Sequence, residues 1–583
     1  MLKTDLINRL SGKPPFQSLR TLSLVISPLL LAACASYNAA PTARLSAAKA
    51  SGLQQCAALG SSFKFDNTVI DSASPQAKGA MSLAGQPIDS HCLVKGRMFA
   101  RKGSDGRDYA IGFEMRLPDR WNGRFFYQGN GGLDGAVRPA EGALGGGPIT
   151  GALMQGFAVI SSDAGHNGPQ TPFFGAEPQA RLDYGYQAVA KLTPMAKALV
   201  TAGYARAPDR SYIGGCSNGG RHTMVEAARG QAYDGYLVGA PGYRLPLAAT
   251  AQLWGAQQWA SLATPGAMTK HPMNPQAMIP DLETALTAQE RQVVAQAILK
   301  QCDALDGAAD GMVQATQACQ AKFDLARDVP TCQGERNGQC LTVAQKQVLS
   351  KVHAGARTSK GETVYAPFVF DTGIAAPDWA QWKFKNSIAL DPLAVGSVFS
   401  VPPSRVDPLK VNIDQQFPLI HATSAVYQES GMSLMTPPDH ADPKNLAPLA
   451  QRGAKMVLYH GVSDAIFSAE DTRQWMLRLN QSLGGRADQF ARYFPVPGMN
   501  HCRGGPSTDQ FDLLNALVQW VEYGQAPQAV VASARGAGNA GGINMDLPVN
   551  WSAQRTRPLC AYPSVATYKG SGSLESASSF VCQ

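Results

Sequence analysis

Charged residues are scarce: Asp, Glu, Lys and Arg together make up 16% of the 583 residues. The 51 Lys and Arg exceed the 43 Asp and Glu by a formal charge of +8, but they are scattered and form no block. The surface is mildly basic, with no stripe that could track a nucleic-acid backbone, so no nucleic-acid partner is expected. No Cys-x-x-Cys pair occurs, which argues against zinc sites and thioredoxin-like chemistry. There is no internal repeat, and no run of roughly 18 or more apolar residues that would span a bilayer. What is present is 44% hydrophobic residues with 58 glycines and 39 prolines. That is a loop-rich globular chain, neither disordered, collagen-like nor coiled coil. Its length admits several average domains or one large domain carrying an insertion.

Residues 1–36 read as a targeting segment. Lys3, Arg9, Lys13 and Arg20 give a positive start, and Thr21 to Ala33 is a short apolar run. It breaks at Leu31-Ala32-Ala33-Cys34, with the small residues that a signal peptidase requires. Leu-Ala-Ala-Cys also resembles the bacterial lipobox, so Cys34 is the expected lipidation site and the expected sole membrane attachment. Plain cleavage near Ala33 or Ala35 is the alternative. The expected location is therefore outside the cytoplasm, as an outer-membrane lipoprotein or a periplasmic or secreted protein.

Export changes what the cysteines mean. Of 11, setting Cys34 aside leaves Cys56, Cys92, Cys216, Cys302, Cys319, Cys332, Cys340, Cys502, Cys560 and Cys582. An even number in an oxidising compartment reads as a disulfide framework. Spacing leaves the full connectivity open, but loop-closure entropy favours the local pairs Cys302–Cys319, Cys332–Cys340 and Cys560–Cys582.

Two interleaved parts are expected. In residues 37–242, Tyr109–Leu117, Gly123–Gln128, Gly156–Ser162 and Arg210–Gly214 read as strands, and Tyr184–Ala202 as a helix. That alternation is an α/β signature. Residues 243–444 are rich in Ala, Gln and Pro and hold four cysteines. In 445–583 the strand pattern resumes at Lys455–Gly461 and Phe490–Val496, followed by an amphipathic helix over Asp509–Tyr523. The middle segment therefore reads as an insertion into one α/β domain, of the kind that forms a lid over a site.

Strand Arg210–Gly214 runs into Gly215-Cys216-Ser217-Asn218-Gly219 and then the helix-like Arg221–Arg229. This is Gly-x-Ser-x-Gly in its strand–turn–helix context, where small residues let backbones crowd together and leave the serine exposed. A serine hydroxyl needs a base held by a third group. Asp464 follows strand Lys455–Gly461 and His501 follows strand Phe490–Val496, so Ser217, Asp464 and His501 lie at successive strand ends in α/β-hydrolase order. Cys216 precedes the serine and Cys502 follows the histidine. If Ser217 bonds to His501, these neighbours come close enough to bridge.

These residues resemble the tannase/feruloyl esterase family, whose members include hydrolases of terephthalate monoesters. The likeness spans the mature chain and rests on Cys216-Ser217, Asp464, His501-Cys502, Trp121-Asn122-Gly123-Arg124-Phe125 and Arg557-Pro558-Leu559-Cys560. It implies an α/β-hydrolase core with a large inserted lid domain, and it implies the pairs Cys56–Cys92 and Cys216–Cys502 beside the three local ones. An oxyanion hole needs two N–H donors. One is expected from Asn218, the other from Gly129-Asn130-Gly131-Gly132, where the resemblance favours Gly132 over Gly131.

Cys302 to Gly311 carries Asp303, Asp306 and Asp310 between glycines. Hard oxygen ligands on a tight loop suit Ca²⁺, although the spacing is not that of an EF-hand and a solvated turn would look similar. The resemblance implies a structural calcium held by Asp303, Asp306 and Asp310 side chains with the Ala308 and Met312 carbonyls, and no organic cofactor.

For the acyl pocket, the resemblance implies His460, Phe467 and a lid tryptophan, Trp382 or Trp379. A lid arginine clamps the free carboxylate in the terephthalate-monoester hydrolases. The corresponding Leu390–Ser400 stretch has none, Arg405 and Lys385 being the nearest basic residues, and a guanidinium clamp is not easily replaced. The expected function is hydrolysis of small esters of aromatic, phenolic acids by a monomeric serine esterase. Terephthalate monoesters are the second candidate. A non-catalytic surface lipoprotein that binds aromatic ligands is the third.

Overall fold

The computed structural model describes residues 45–143, 151–171 and 173–583. The expected targeting segment, its expected cleavage points and Cys34 lie outside these residues. Nine strands form the main sheet: β1 (Thr68–Gln76), β2 (His91–Lys102), β3 (Asp108–Pro118), β4 (Arg124–Gly129), β5 (Ala158–Ser162), β6 (Arg210–Cys216), β7 (Gly235–Gly239), β8 (Lys455–Gly461) and β9 (Ala491–Val496). The order across the sheet is β9-β8-β7-β6-β4-β5-β3-β2-β1. Neighbours from β9 to β5 are parallel, and β3, β2 and β1 extend the sheet antiparallel.

Helices named below are α1 (Ala188–Tyr204), α2 (Asn218–Arg229), α3 (Leu245–Ala260), α4 (Ala288–Cys302), α5 (Pro377–Ala380), α6 (Ala469–Ser482) and α7 (Leu513–Tyr523). Every residue of β7 and β8 is buried, as a parallel strand covered on both faces requires. Their side chains alternate between two cores. Met456 and Leu458 join one with Leu192, Leu199, Met224 and Trp475 of α1, α2 and α6. Val457 and Tyr459 join the other with Leu514, Leu517 and Val518 of α7. The two-residue period of a strand produces this division.

Between β7 and β8 the chain leaves the sheet. It forms α3, a ribbon of Met268–His271 against Asn274–Pro280, and α4, which opens on a capping box between Thr287 and Glu290. Trp259, Trp379, Phe384 and Leu434 of this stretch join the same apolar cluster as α1, α2 and α6. No helix among the described residues is long and apolar enough to cross a membrane.

The ten described cysteines form Cys56–Cys92, Cys216–Cys502, Cys302–Cys319, Cys332–Cys340 and Cys560–Cys582. These bonds belong to an oxidising environment. Arg124 of the Trp-Asn-Gly-Arg-Phe run places two nitrogens 2.7 Å from the Glu522 carboxylate of α7, which also accepts the Tyr212 hydroxyl at 2.7 Å. Trp121 stacks on Tyr204 of α1 at 4.3 Å.

Candidate active site

The elbow after β6 depends on two glycines. A Cβ on Gly215 would lie 2.3 Å from the Gly129 carbonyl oxygen, and one on Gly219 would lie 2.2 Å from it. Only bare backbone lets β4, β6 and α2 converge so closely. Between them Ser217 is driven to φ 66°, ψ −126°, a conformation that costs an L-residue about 1–3 kcal/mol. The turn projects the hydroxyl beside the start of α2, whose first amides have no acceptor within the helix and favour negative charge.

Ser217 Oγ lies 2.8 Å from His501 Nε2, and His501 Nδ1 lies 2.7 Å from Asp464 Oδ2. Asp464 Oδ1 accepts the N–H groups of Ile466 and Phe467, each at 2.9 Å, which fixes its plane. Burial would push this carboxyl up, but the positive field and hydrogen bonds of His501 and His460 hold it well below the usual range. Burial would likewise favour neutral His501, yet the charge and hydrogen bond of Asp464, with the charge of Asp378, raise it above 6.5. An ionised acid, an imidazole and a hydroxyl are thus in line for proton transfer.

His460 was expected in the acyl pocket, and the structure corrects this. It is fully buried beneath Asp464, with Nδ1 2.8 Å from Thr472 Oγ1 and Nε2 3.0 Å from the Phe467 carbonyl and 3.3 Å from Asp464 Oδ2. A ring held at both nitrogens under the acid cannot meet a ligand; it orients Asp464. Trp382 lies edge-on to the His501 ring at 5.1 Å and Phe467 does so at 5.3 Å. Trp379 instead packs in the core with Trp259, Phe384 and His353. Arg405 is exposed. A basic residue missed in the sequence, Lys383, is 3% exposed next to Trp382, and burial lowers it to about 7.

Asn218 follows the serine, and the second glycine run approaches it. A Cβ on Gly131 would be 3.9 Å from that of Ser217, while one on Gly132 would meet nothing. The two pieces are tied together by Asp134, whose side chain is 2% exposed. Its Oδ2 accepts Asn218 Nδ2 at 2.8 Å and lies 3.1 Å from His222 Nε2. Arg221 donates to Asn218 Oδ1 and to the Tyr184 and Gly185 carbonyls. Nothing in the spacing of Asp134 or His222 signalled this brace, because it joins segments far apart in the chain.

The carboxyls of the acidic loop are taken up largely by its own backbone. Asp303 accepts the N–H groups of Asp310 and Gly311, Asp306 those of Ala308 and Gln314, and Asp310 that of Met312. Arg557 pairs with the other Asp310 oxygen, which gives the C-terminal Arg-Pro-Leu-Cys run a task. Burial, aided by the charges of Asp310 and Asp303, pushes Asp306 up to about 7. Among the described residues no three His, Cys, Asp or Glu side chains are grouped as a ready metal site.

Residues 92–583 match the family model described as tannase and feruloyl esterase. The chain belongs to this family. It is 37% identical over 555 residues, 88% of each chain, to the mono(2-hydroxyethyl) terephthalate hydrolase of Piscinibacter sakaiensis. It is 31% identical over 563 residues to an uncharacterised esterase of Xanthomonas campestris pv. campestris, covering 88% of this chain and 89% of that one. The crystal structure of feruloyl esterase B from Aspergillus oryzae superposes with a TM-score of 0.71 at 25% identity, covering 91% of this chain and 99% of that one. The tannin acyl hydrolase of Aspergillus niger shares the fold, with a TM-score of 0.64 at 19% identity over 91% of this chain and 93% of the other. Membership makes the protein a carboxylic ester hydrolase with an α/β-hydrolase-like fold.

Proposed function

We propose that the protein is an exported serine esterase acting on small esters of aromatic, phenolic acids, with Ser217, His501 and Asp464 as its triad. The observation that carries this is the unbroken relay of 2.8 and 2.7 Å from a hydroxyl on a strained elbow through an imidazole to a buried carboxylate. Ser217 Oγ attacks the ester carbonyl carbon while His501 Nε2 takes its proton. Asp464 stabilises the imidazolium. The N–H groups of Asn218 and Gly132 hold the oxyanion, and the Asp134 brace keeps the two donors in register. His501 then protonates the departing alcohol, and the acyl group stays on Ser217. Water deprotonated by His501 attacks that acyl carbon, and as the acid is released His501 returns the proton to Ser217 Oγ.

Residues 243–444 act as the lid domain, a role supported by Trp382 reaching the His501 ring from this segment. Trp382 and Phe467 supply aromatic surface for the acyl ring. Five disulfides support export. The loop from Asp303 to Met312 is proposed to hold a structural Ca²⁺ that takes no part in the chemistry; its three carboxyls accept the loop's own N–H groups and would have to converge on the ion. Asp303, Asp306 and Asp310 would hold it with the Ala308 and Met312 carbonyls. Added Ca²⁺ should raise the melting temperature, and an unchanged melt after removal by chelator would refute the site.

The test of substrate class is hydrolysis of methyl gallate, methyl ferulate and a terephthalate monoester, with Ser217→Ala as control. The phenolic esters should be turned over faster. The 37% identity to a terephthalate-monoester hydrolase favours that substrate as the second reading, and a terephthalate monoester ranking first would establish it.

A further inference from the structure

The helical run that begins with α5 reaches His501 at two points. Asp378 Oδ2 accepts the His501 backbone N–H at 3.2 Å, across 123 positions of sequence. Four residues on, and so on the same side of the helical run, Trp382 lies edge-on to the imidazole at 5.1 Å. We infer that Asp378 is a positioning residue for His501: its carboxylate fixes the histidine's main chain and adds a second negative charge beside the imidazole. This rests on the triad reading of Ser217, His501 and Asp464.

The loop it holds needs such a contact. Cys502, the next residue, sits at φ 64°, in the left-handed region that costs a side-chain-bearing residue free energy. The chain thus turns through a disfavoured conformation directly after His501, and an acceptor from another segment restrains the His501 N–H. The charges around the imidazole are few. Asp464 faces Nδ1 from the loop after β8, and Ser217 faces Nε2 from the elbow. Asp378 acts from the inserted segment. Asp378 itself feels His501, Asp464, and Asp546 from the C-terminal part, and Lys383 acts on Asp464 from the same helical run.

Burial, with the charges of Asp464 and Asp546, raises Asp378 to about 6, and the charge of His501 opposes that rise. A family esterase built this way uses its inserted segment to set the base as well as to cover it.

The test reads the base without needing the natural ester. The second-order rate at which a fluorophosphonate modifies Ser217 is measured from pH 5 to 9 in the parent, Asp378→Asn and Asp378→Ala. Asparagine keeps an acceptor oxygen and removes the charge. The acid limb of Asp378→Asn should move down by several tenths to about one pH unit. Relative reactivity one unit below the parent's midpoint should then rise roughly two- to five-fold. Asp378→Ala should show the same shift and also a several-fold lower plateau, because the N–H acceptor is gone. An acid limb in Asp378→Asn that overlays the parent's would overturn the inference, as would an Asp378→Ala plateau equal to that of Asp378→Asn. If Asp378→Asn does not fold, Asp378→Ser carries the same test of charge. Absence of Ser217 labelling in the parent would instead show that the triad reading is wrong.

Discussion

The bridge between Cys216 and Cys502 joins the residue before Ser217 to the residue after His501, with Cα atoms 6.2 Å apart and a sequence separation of 286. Both joined loops are strained, Ser217 at φ 66° and Cys502 at φ 64°. Replacing both cysteines by alanine therefore has two separable effects. Loop entropy alone assigns the bridge about 5–6 kcal/mol of stability as an upper figure. With an unfolding entropy near 2 cal/mol/K per residue over roughly 540 residues, that lowers Tm by only about 5 °C. Activity should fall further. Each strained loop stores about 1–3 kcal/mol that relaxation would release. If one loop relaxes by that amount, the aligned fraction drops roughly 5- to 150-fold. The assay is kcat and KM of Cys216→Ala/Cys502→Ala beside its melt. The expected result is a kcat lower by at least five-fold with KM nearly unchanged and Tm a few degrees down. A folded double variant whose kcat stays within two-fold of the parent would refute the claim that the bridge aligns serine and histidine.

His460→Ala removes a hydrogen-bonded support from the buried Asp464 carboxylate, an interaction of about 1.5–3 kcal/mol. kcat should drop roughly ten- to hundred-fold with KM little changed, whereas a pocket residue would shift KM first. In the proposed mechanism His501 must be neutral to act as base, and its pKa is raised above 6.5, so kcat/KM should be full at alkaline pH and fall through a midpoint above 6.5; a pH–rate profile with its midpoint clearly below that value contradicts the assignment. Arg557→Ala leaves Asp310 buried without its partner and should cost about 3–5 kcal/mol in a denaturant titration.

The core of the site was legible because its signals are local. Gly215-Cys216-Ser217-Asn218-Gly219 carries its own geometry, and Asp464 and His501 each follow an apolar strand that the structure places as β8 and β9. Strand β1 gave no such signal: it is polar, holds Pro75 and lies at the sheet edge. Strand β7 is five residues framed by glycines, too short to stand out. The helix expected over Tyr184–Ala202 begins with a wide turn at Asp183–Gln187 and becomes regular from Ala188. The one expected over Asp509–Tyr523 starts at Leu513, after Asp512 accepts the Asn515 N–H. His460 shows the limit of reasoning by position. Its place four residues before Asp464 is compatible with a pocket wall or with a support, and only burial and the two ring contacts decide. Asp134, His222, Asp378 and Lys383 act on residues distant in the chain, and no spacing rule connects them to the site.

The central claim is that Ser217 carries the acyl group. Rapid mixing with 4-nitrophenyl ferulate, acid quench and peptide mass mapping test it directly. The account predicts a burst of nitrophenol of up to one per molecule and a feruloyl adduct on the peptide containing Ser217, both absent in Ser217→Ala. Continued turnover by that variant, or an adduct on another residue, would contradict it.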